Sequence, residues 1–390
     1  EKPFAGVNGS GKHNNWSLNS DDGINMLNPG DTPHENIQFL LVLACILKAV
    51  DRHADLLRES AACVGNDHRL GADEAPPAII SVFLGDQLED VIDQLCSTGE
   101  ATHSIQGSKL RTGVTTLPNF DTDATDRNRT SPFAFTNNKF EFRMVGSSDS
   151  IASPNIVLNT IVAESFKEAA DVLEVAEDFE EAVHDMIKKL FSSHRRIIFN
   201  GNGYSKEWVE EAKRRGLSNL PSMIDTIPAL VSESSIKLFE SFEVFTRKEL
   251  ESRMEIEYEA YSKAINIEAK AMIDIAGKSI IPAVIRYTTR LADSIIKLKT
   301  AMVDIEPYAQ SSILIDVNEH LKSAKLALEN LIKLMDDAGE VVGVDKHARH
   351  MREVIVPAME ALRKPVDELE MIVDKDLWPM PSYGDLLFEV

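Results

Sequence analysis

An α/β or α+β region over residues 1–222, followed by an all-helical bundle over 223–390, is the fold class that this 390-residue sequence predicts. Two observations carry that reading. Up to residues 217–227, glycine, proline and asparagine punctuate short apolar segments of mixed period. Beyond that stretch, long segments with almost no glycine keep apolar residues at spacings of three and four, one face of a helix. The length is enough for two or more separate cores, and 43% apolar with 27% charged residues is a globular composition.

In chain order, residues 7–18 read as a glycine-rich strand. Residues 34–64 read as one helix that begins after Thr32 and Pro33 and stops at Gly65. Residues 77–84 form a strand candidate, 85–97 a helix, and 104–127, rich in Thr, Asp and Asn, a loop. Residues 133–145 read as a hairpin turning at Asn137 and Asn138, where left-handed backbone angles are tolerated. Helices follow over 155–191 with a break near Asp178. In the bundle, a helix over 232–277 brings Met254, Tyr258, Tyr261 and Ile265 to one face, and Pro282 is expected to kink its continuation. Leu291, Ile295, Leu298, Met302 and Ile305 make a second stripe. A third stripe is Leu314, Val317, Leu321, Ala324, Leu328, Leu331 and Met335. A fourth is Met351, Ile355, Met359, Leu362, Val366 and Leu369, with Pro357 and Pro365 expected to bend it. Breaks at Pro307 and over 338–344 separate helices that should pack antiparallel.

The bulk chemistry excludes several classes. A net charge of −22 opposes the phosphate attraction that drives nucleic-acid binding. The longest apolar run, residues 39–47, falls far short of the roughly 20 residues a membrane span needs, and reads as a buried helix. Cys45, Cys63 and Cys96 form no CxxC pair and read as reduced core thiols. The chain opens on Glu1 with no signal-like segment after it, so it reads as cytoplasmic and cut at its N-terminus.

Four segments carry candidate chemistry. In NGSGKHNNWS (residues 8–17), strand alternation sets His13, Asn15 and Ser17 on one face and Lys12, Asn14 and Trp16 on the other. Gly9 and Gly11 allow close backbone approach, and His13 could bind a divalent cation; a solvated polar strand accounts for the same spacing. In KFEFRM (residues 139–144), Lys139, Glu141 and Arg143 share one face while Phe140 and Phe142 face the core. A carboxylate between two cations suits Mg²⁺ beside phosphate oxygens, or else a surface charge ladder. DRNRTSPF (residues 126–133) adds guanidinium forks matched to phosphate or carboxylate. GNDHRLGADEAPP (residues 65–77) adds Arg69 and Glu74 in a loop that could close over a substrate. Together these point to anionic substrates and a metal-bound nucleotide. His347 and His350, spaced HxxH in a charged connector, read as surface residues rather than ligands.

NGSGKHNNWSL, GNDHRLGADEAPPAII, DRNRTSPFAF and NKFEFRMVGSS occur in the order seen in glutamine synthetases, and with the ending WPMPSYGDLLF the wording resembles the large type III form. The resemblance spans the whole chain. It implies an α+β catalytic domain with a curved antiparallel sheet, followed by the bundle. It also implies ATP, Mg²⁺ or Mn²⁺, glutamate and ammonia, and a homo-oligomeric dodecamer of two hexameric rings. By resemblance, His13 and Glu141 are metal ligands, Asn8, Gly9 and Arg69 hold glutamate, and Ser17 meets the nucleotide. Arg129 and Lys139 meet ATP phosphates, Arg143 stabilises the transferring phosphoryl group, and Glu74 shields the intermediate and helps deprotonate ammonium. Asn15, in place of a histidine, and Ala134, in place of an arginine, depart from the type I pattern, as do a shorter Arg69–Glu74 spacing and a shorter stretch from Arg129 to Glu141. The resemblance also implies metal carboxylates upstream of the glycine-rich strand, so the chain alone is expected to be inactive. Two alternatives remain open: a ligase of the same superfamily acting on another amine, and a non-catalytic assembly protein built on the bundle.

Overall fold

The computed structural model describes residues 11–71, 75–104, 109–110, 120–121 and 130–388. It is mostly helical with a small mixed sheet, and its contacts divide the chain into two compact units, Glu1–Met254 and Glu255–Val390.

In the first unit, strands β1 (Asn14–Trp16), β2 (Val82–Phe83), β5 (Phe133–Thr136) and β6 (Lys139–Phe142) make one sheet in the order β1-β6-β5-β2. The hairpin β5–β6 forms where expected, with Asn137 at φ 59° in its turn. β1 adds to β6 antiparallel, but β2 joins β5 in parallel, so the sheet is mixed rather than wholly antiparallel. Phe133, Phe135, Phe140 and Phe142 are buried together, with Phe133 stacked on Phe140 at 4.5 Å between centroids. Such a pair adds about 0.5–1.5 kcal/mol beyond its burial. Against this layer lies α1 (Ile37–Arg52), whose Phe39 ring meets Phe135 at 5.8 Å. The apolar run of residues 39–47 is the buried heart of this helix, apart from half-buried Leu41.

The helix expected over 34–64 is broken at His53. There Nε2 meets Glu164 Oε2 at 2.7 Å, and a second helix, α2 (Ala54–Glu59), begins. Residues 65–69, read as loop, belong instead to the short helix α3 (Val64–Arg69). α4 (Asp86–Thr98) matches its expected span. Within 104–127, read as loop, β3 (Lys109–Leu110) pairs with β4 (Phe120–Asp121). α5 (Ala152–Leu173) and α6 (Phe179–His194) pack on α1, and Asp178 at their break caps α6 by accepting from Glu181 N. α7 (Lys206–Arg214), α8 (Met223–Leu230) and α9 (Glu233–Ser241) follow.

The helix read over 232–277 is two. The chain breaks after α9, with Glu243 at φ 54°, and restarts as α10 (Arg247–Ile275). A capping box starts α10: Thr246 N donates to Glu249 Oε2, while Glu249 N donates to Thr246 Oγ1. In the second unit, α11 (Ile281–Ala301), α12 (Tyr308–Ala338), α13 (Val344–His350) and α14 (Val356–Ile372) complete the bundle, with α12 packed on α11 and α14. The α12 stripe is as read, with Val317, Ala324, Leu328 and Leu331 buried. Tyr258, Tyr261 and Ile265 are core. Met302 departs from its stripe: it lies past the end of α11 and is 65% exposed. A short helix, α15 (Tyr383–Phe388), closes the described chain.

Pro282 and Pro357 do not end their helices. Each follows a π-helical turn, Ala276–Ile280 and Met351–Ile355, and lies in the first turn of the α-helix beyond it. The wider turn keeps the chain helical next to a residue that has no N–H and crowds the preceding turn. The apolar pattern carries the same irregularity. Met351, Ile355 and Met359 are separated by two successive fours, which overrun a regular α-helix by about 80°.

Candidate functional site

β6 presents its side chains as the alternation requires: Phe140 and Phe142 are buried, while Lys139 and Glu141 are on the other face. Steps of two residues along a strand are about 6.8 Å, so Lys139, Glu141 and Arg143 form a ladder about 14 Å long. β1 is equally regular. Asn14 and Trp16 turn inward, where Asn14 Nδ2 donates to Asn155 Oδ1 and Trp16 Nε1 donates to Asn159 Oδ1, both on α5. His13 and Asn15 are thereby left on the exposed face.

The register brings the two candidate metal ligands together. Asn15 pairs with Glu141, so His13 lies one step along, with Nδ1 3.6 Å from Glu141 Oε2. Ala134 pairs with Glu141 from the other side. The two positions that depart from the type I pattern therefore flank the same carboxylate. Arg143 Nε and Nη2 donate to Glu141 Oε2 at 3.2 and 2.9 Å, and Arg143 is only 3% exposed. A nitrogen and a carboxylate at this spacing suit two adjacent positions around one divalent cation. A hard cation needs about six ligands, however, and among the described residues no three His, Cys, Asp or Glu side chains cluster as a metal site. The pair fits part of a metal site.

Ser17 lies at the hairpin end of the ladder. Its Oγ donates to Asn138 O at 2.9 Å and accepts from Asn25 Nδ2, which places it beside Lys139 in the chain. Arg69 lies at the opposite end and is 4% exposed. It donates to the carbonyls of Met144 (3.1 Å) and Arg143 (2.9 Å) and to Asn66 Oδ1 (3.2 Å). Burial lowers its pKa from the usual arginine value. Gly11 makes this possible: a Cβ there would stand 2.1 Å from Arg69 Nη2. The close approach at this glycine is thus taken by a side chain of the same protein. Asn8, Gly9, Glu74 and Arg129 lie outside the described residues.

Sequence reasoning missed Asn66, which is 1% exposed and donates through Nδ2 to Ala61 O and Met144 O. Together with Arg69 it fixes the chain just past β6. Its neighbour Cys63 is a half-buried thiol: burial, then Asp149 beside it, push it up to about 12. No described helix is long and apolar enough to cross a membrane.

Residues 182–299 match the family model described as the glutamine synthetase C-terminal domain. Over its full length the chain is 44% identical to type-3 glutamine synthetase of Dictyostelium discoideum, covering 54% of that protein. It is 37% identical to glutamine synthetase of Bacteroides fragilis and 39% identical to that of Butyrivibrio fibrisolvens, again over its full length, covering 55% and 56% of them. The chain thus spans a little over half the length of the relatives it matches. The ordered site segments, the family match and the full-length similarity agree: the chain belongs to the glutamine synthetase family, as a counterpart of the C-terminal portion of the type-3 form.

Proposed function

We propose that this chain is part of a cytoplasmic enzyme that joins ammonia to glutamate, driven by ATP, to give glutamine. The observation that carries this reading is the ladder on one sheet face. Lys139, Glu141 and Arg143 line up along β6, and His13 of the neighbouring strand stands over Glu141. Cations on either side of a cation-binding carboxylate match a polyphosphate laid along the strand.

In this reading the glutamate side-chain carboxylate attacks the terminal phosphorus of ATP, the bond to ADP breaks, and γ-glutamyl phosphate forms. Ammonia then attacks the acyl carbon, inorganic phosphate leaves, and a proton passes from the nitrogen to a base. Arg143 stabilises the transferring phosphoryl group. Lys139 and Arg129 hold ATP phosphates, Ser17 meets the nucleotide, and Glu74 covers the intermediate and takes the proton. Asn8, Gly9 and Arg69 hold glutamate; Arg69 must exchange its main-chain acceptors for the substrate carboxylate to do so. His13 and Glu141 hold Mg²⁺ or Mn²⁺, which supplies neutralisation of phosphate charge when bound. Positioning and charge neutralisation do most of this work.

Residues 1–222 serve as a portion of the catalytic domain and 223–390 as the bundle of a dodecamer of two hexameric rings. Among the described residues His13 and Glu141 are too few ligands for a divalent cation, so the isolated chain is expected to show no measurable ligase activity. The deciding experiment uses a full-length protein carrying this chain: glutamine is formed from glutamate, ATP and ammonium, and polyamines do not replace ammonium. Preference for another amine, or no ATP turnover with any, overturns the reading. Light scattering of the same protein before and after deletion of residues 232–390 tests the assembly; an unchanged number of subunits counts against a role for the bundle.

A further inference from the structure

Residues 198–205, which no catalytic role has absorbed, form a turn fixed at both ends. On one side Ile198 bridges to Val82 of β2, and Phe199 N donates to Val82 O at 2.9 Å. Asn200 Oδ1 accepts from Leu84 N and Gly85 N at 3.0 and 3.1 Å. On the other side Ser205 caps α7 by accepting from Trp208 N, and the Trp208 ring stacks on Phe199 at 3.7 Å. A turn anchored to a strand and to a helix in this way is a rigid support.

Thr130 is hooked onto that support. Its Oγ1 accepts from Gly203 N at 2.7 Å and donates to Gly201 O at 3.5 Å. The fit leaves no room for a side chain: a Cβ on Gly203 would stand 2.6 Å from the carbonyl oxygen of Thr130. From Thr130 the chain passes through buried Ser131 to Pro132, whose carbonyl accepts from Arg143 N at 2.8 Å.

We propose that Gly203 and Thr130 form a clasp that positions Arg143, a phosphate-facing arginine of the site, an inference that rests on the ligase reading above. Gly203 and Thr130 are positioning residues. The clasp fixes the Thr130–Pro132 run, that run fixes the main chain of Arg143, and Arg143 holds Glu141. A loosened clasp therefore weakens the grip on ATP phosphates more than the grip on glutamate, because Arg69, although it donates to Arg143 O, is held as well by Met144 O and Asn66 Oδ1.

The test uses the full-length protein with Thr130→Val, which keeps the shape and removes the hydroxyl, Thr130→Ser, which keeps the hydroxyl, and Gly203→Ala. Loss of one or two hydrogen bonds gives Thr130→Val a KM for ATP raised roughly five- to tenfold. Its KM for glutamate and its thermal midpoint stay near those of the parent, and Thr130→Ser restores the ATP value. Gly203→Ala shifts ATP in the same direction; should it fail to fold, the threonine pair decides. Equilibrium titration with MgATP reads the same step without turnover. A parent protein that binds MgATP but forms no glutamine sinks the ligase reading, while the titration of Thr130→Val still decides the clasp. Unchanged ATP binding in Thr130→Val, or equal losses for ATP and glutamate with a lowered thermal midpoint, overturns the inference. So does a parent protein that does not bind MgATP.

Discussion

Arg143 directs both Nε and Nη2 at a single oxygen of Glu141, and His13 Nδ1 faces that same Oε2. The carboxylate is therefore oriented by a planar fork before any ligand arrives. Lysine at 143 would keep the charge but lose the fork. Arg143→Lys in the full-length protein is expected to lower kcat about 100-fold, the scale of losing one preorganised donor at a site of developing charge. Steady-state rates of glutamine formation check this; less than a threefold change would remove Arg143 from the reaction.

Arg69 and Gly11 form one packing unit, since the guanidinium occupies the space a Cβ on Gly11 would take. Arg69→Met strands the carbonyl of Arg143, leaves that of Met144 to Asn66 alone, and is expected to cost about 2–4 kcal/mol of stability. Gly11→Ala displaces the same guanidinium, so the double variant should cost at least about 1 kcal/mol less than the sum of the two. Urea unfolding of the four proteins measures the coupling. Strict additivity would mean that the two residues act apart.

Glu164 gives the first unit an acid limit. Its hydrogen bond to His53 is the largest influence on it and holds the carboxyl below the usual carboxylate range, with further help from Arg52. A carboxyl with a lowered folded pKa stabilises the fold above its unfolded pKa, and that contribution is lost as pH falls through the folded value. Glu164→Gln is thus expected to lower the thermal midpoint at pH 7 and to make the fall below about pH 4 shallower. Parallel midpoint curves for the two proteins from pH 7 to pH 3 would exclude the contribution.

The bundle offers a test of helix phase. Val317 is fully buried on α12, whereas Ile315, two residues earlier, is 59% exposed. Val317→Ala should cost about 2 kcal/mol, and Ile315→Ala no more than about 0.5 kcal/mol. Denaturant midpoints decide, and equal costs would contradict the placement of the stripe.

Periodicity made the hairpin, the faces of β1 and β6 and the α12 stripe legible, because each depends on spacing within a few residues. The Thr246–Glu249 capping box is equally local and marks in the sequence where the helix over 232–277 divides. What was not legible depends on partners distant in sequence. The helix over 34–64 is interrupted at His53, where Glu164 meets the ring, and nothing near His53 announces Glu164. Arg69 and Glu74 read as one loop because glycine and proline bound it, yet Arg69 ends a helix and faces the chain just past β6. The meeting of His13 with Glu141 required strand register, which only the pairing of β1 with β6 supplies.

The two π-helical turns also bear on how the bundle tolerates change in length. Each holds one residue more than an ordinary turn, so deleting one residue from 276–280 or 351–355 would restore a regular helix with both flanks still aimed at their neighbours. A one-residue deletion within α12, by contrast, would rotate everything beyond it by about 100° and turn its apolar stripe away from α11 and α14. Pro282 and Pro357 guard these spare residues, since a regular turn before either would crowd the ring, and shortening should be accepted only where the proline is replaced as well.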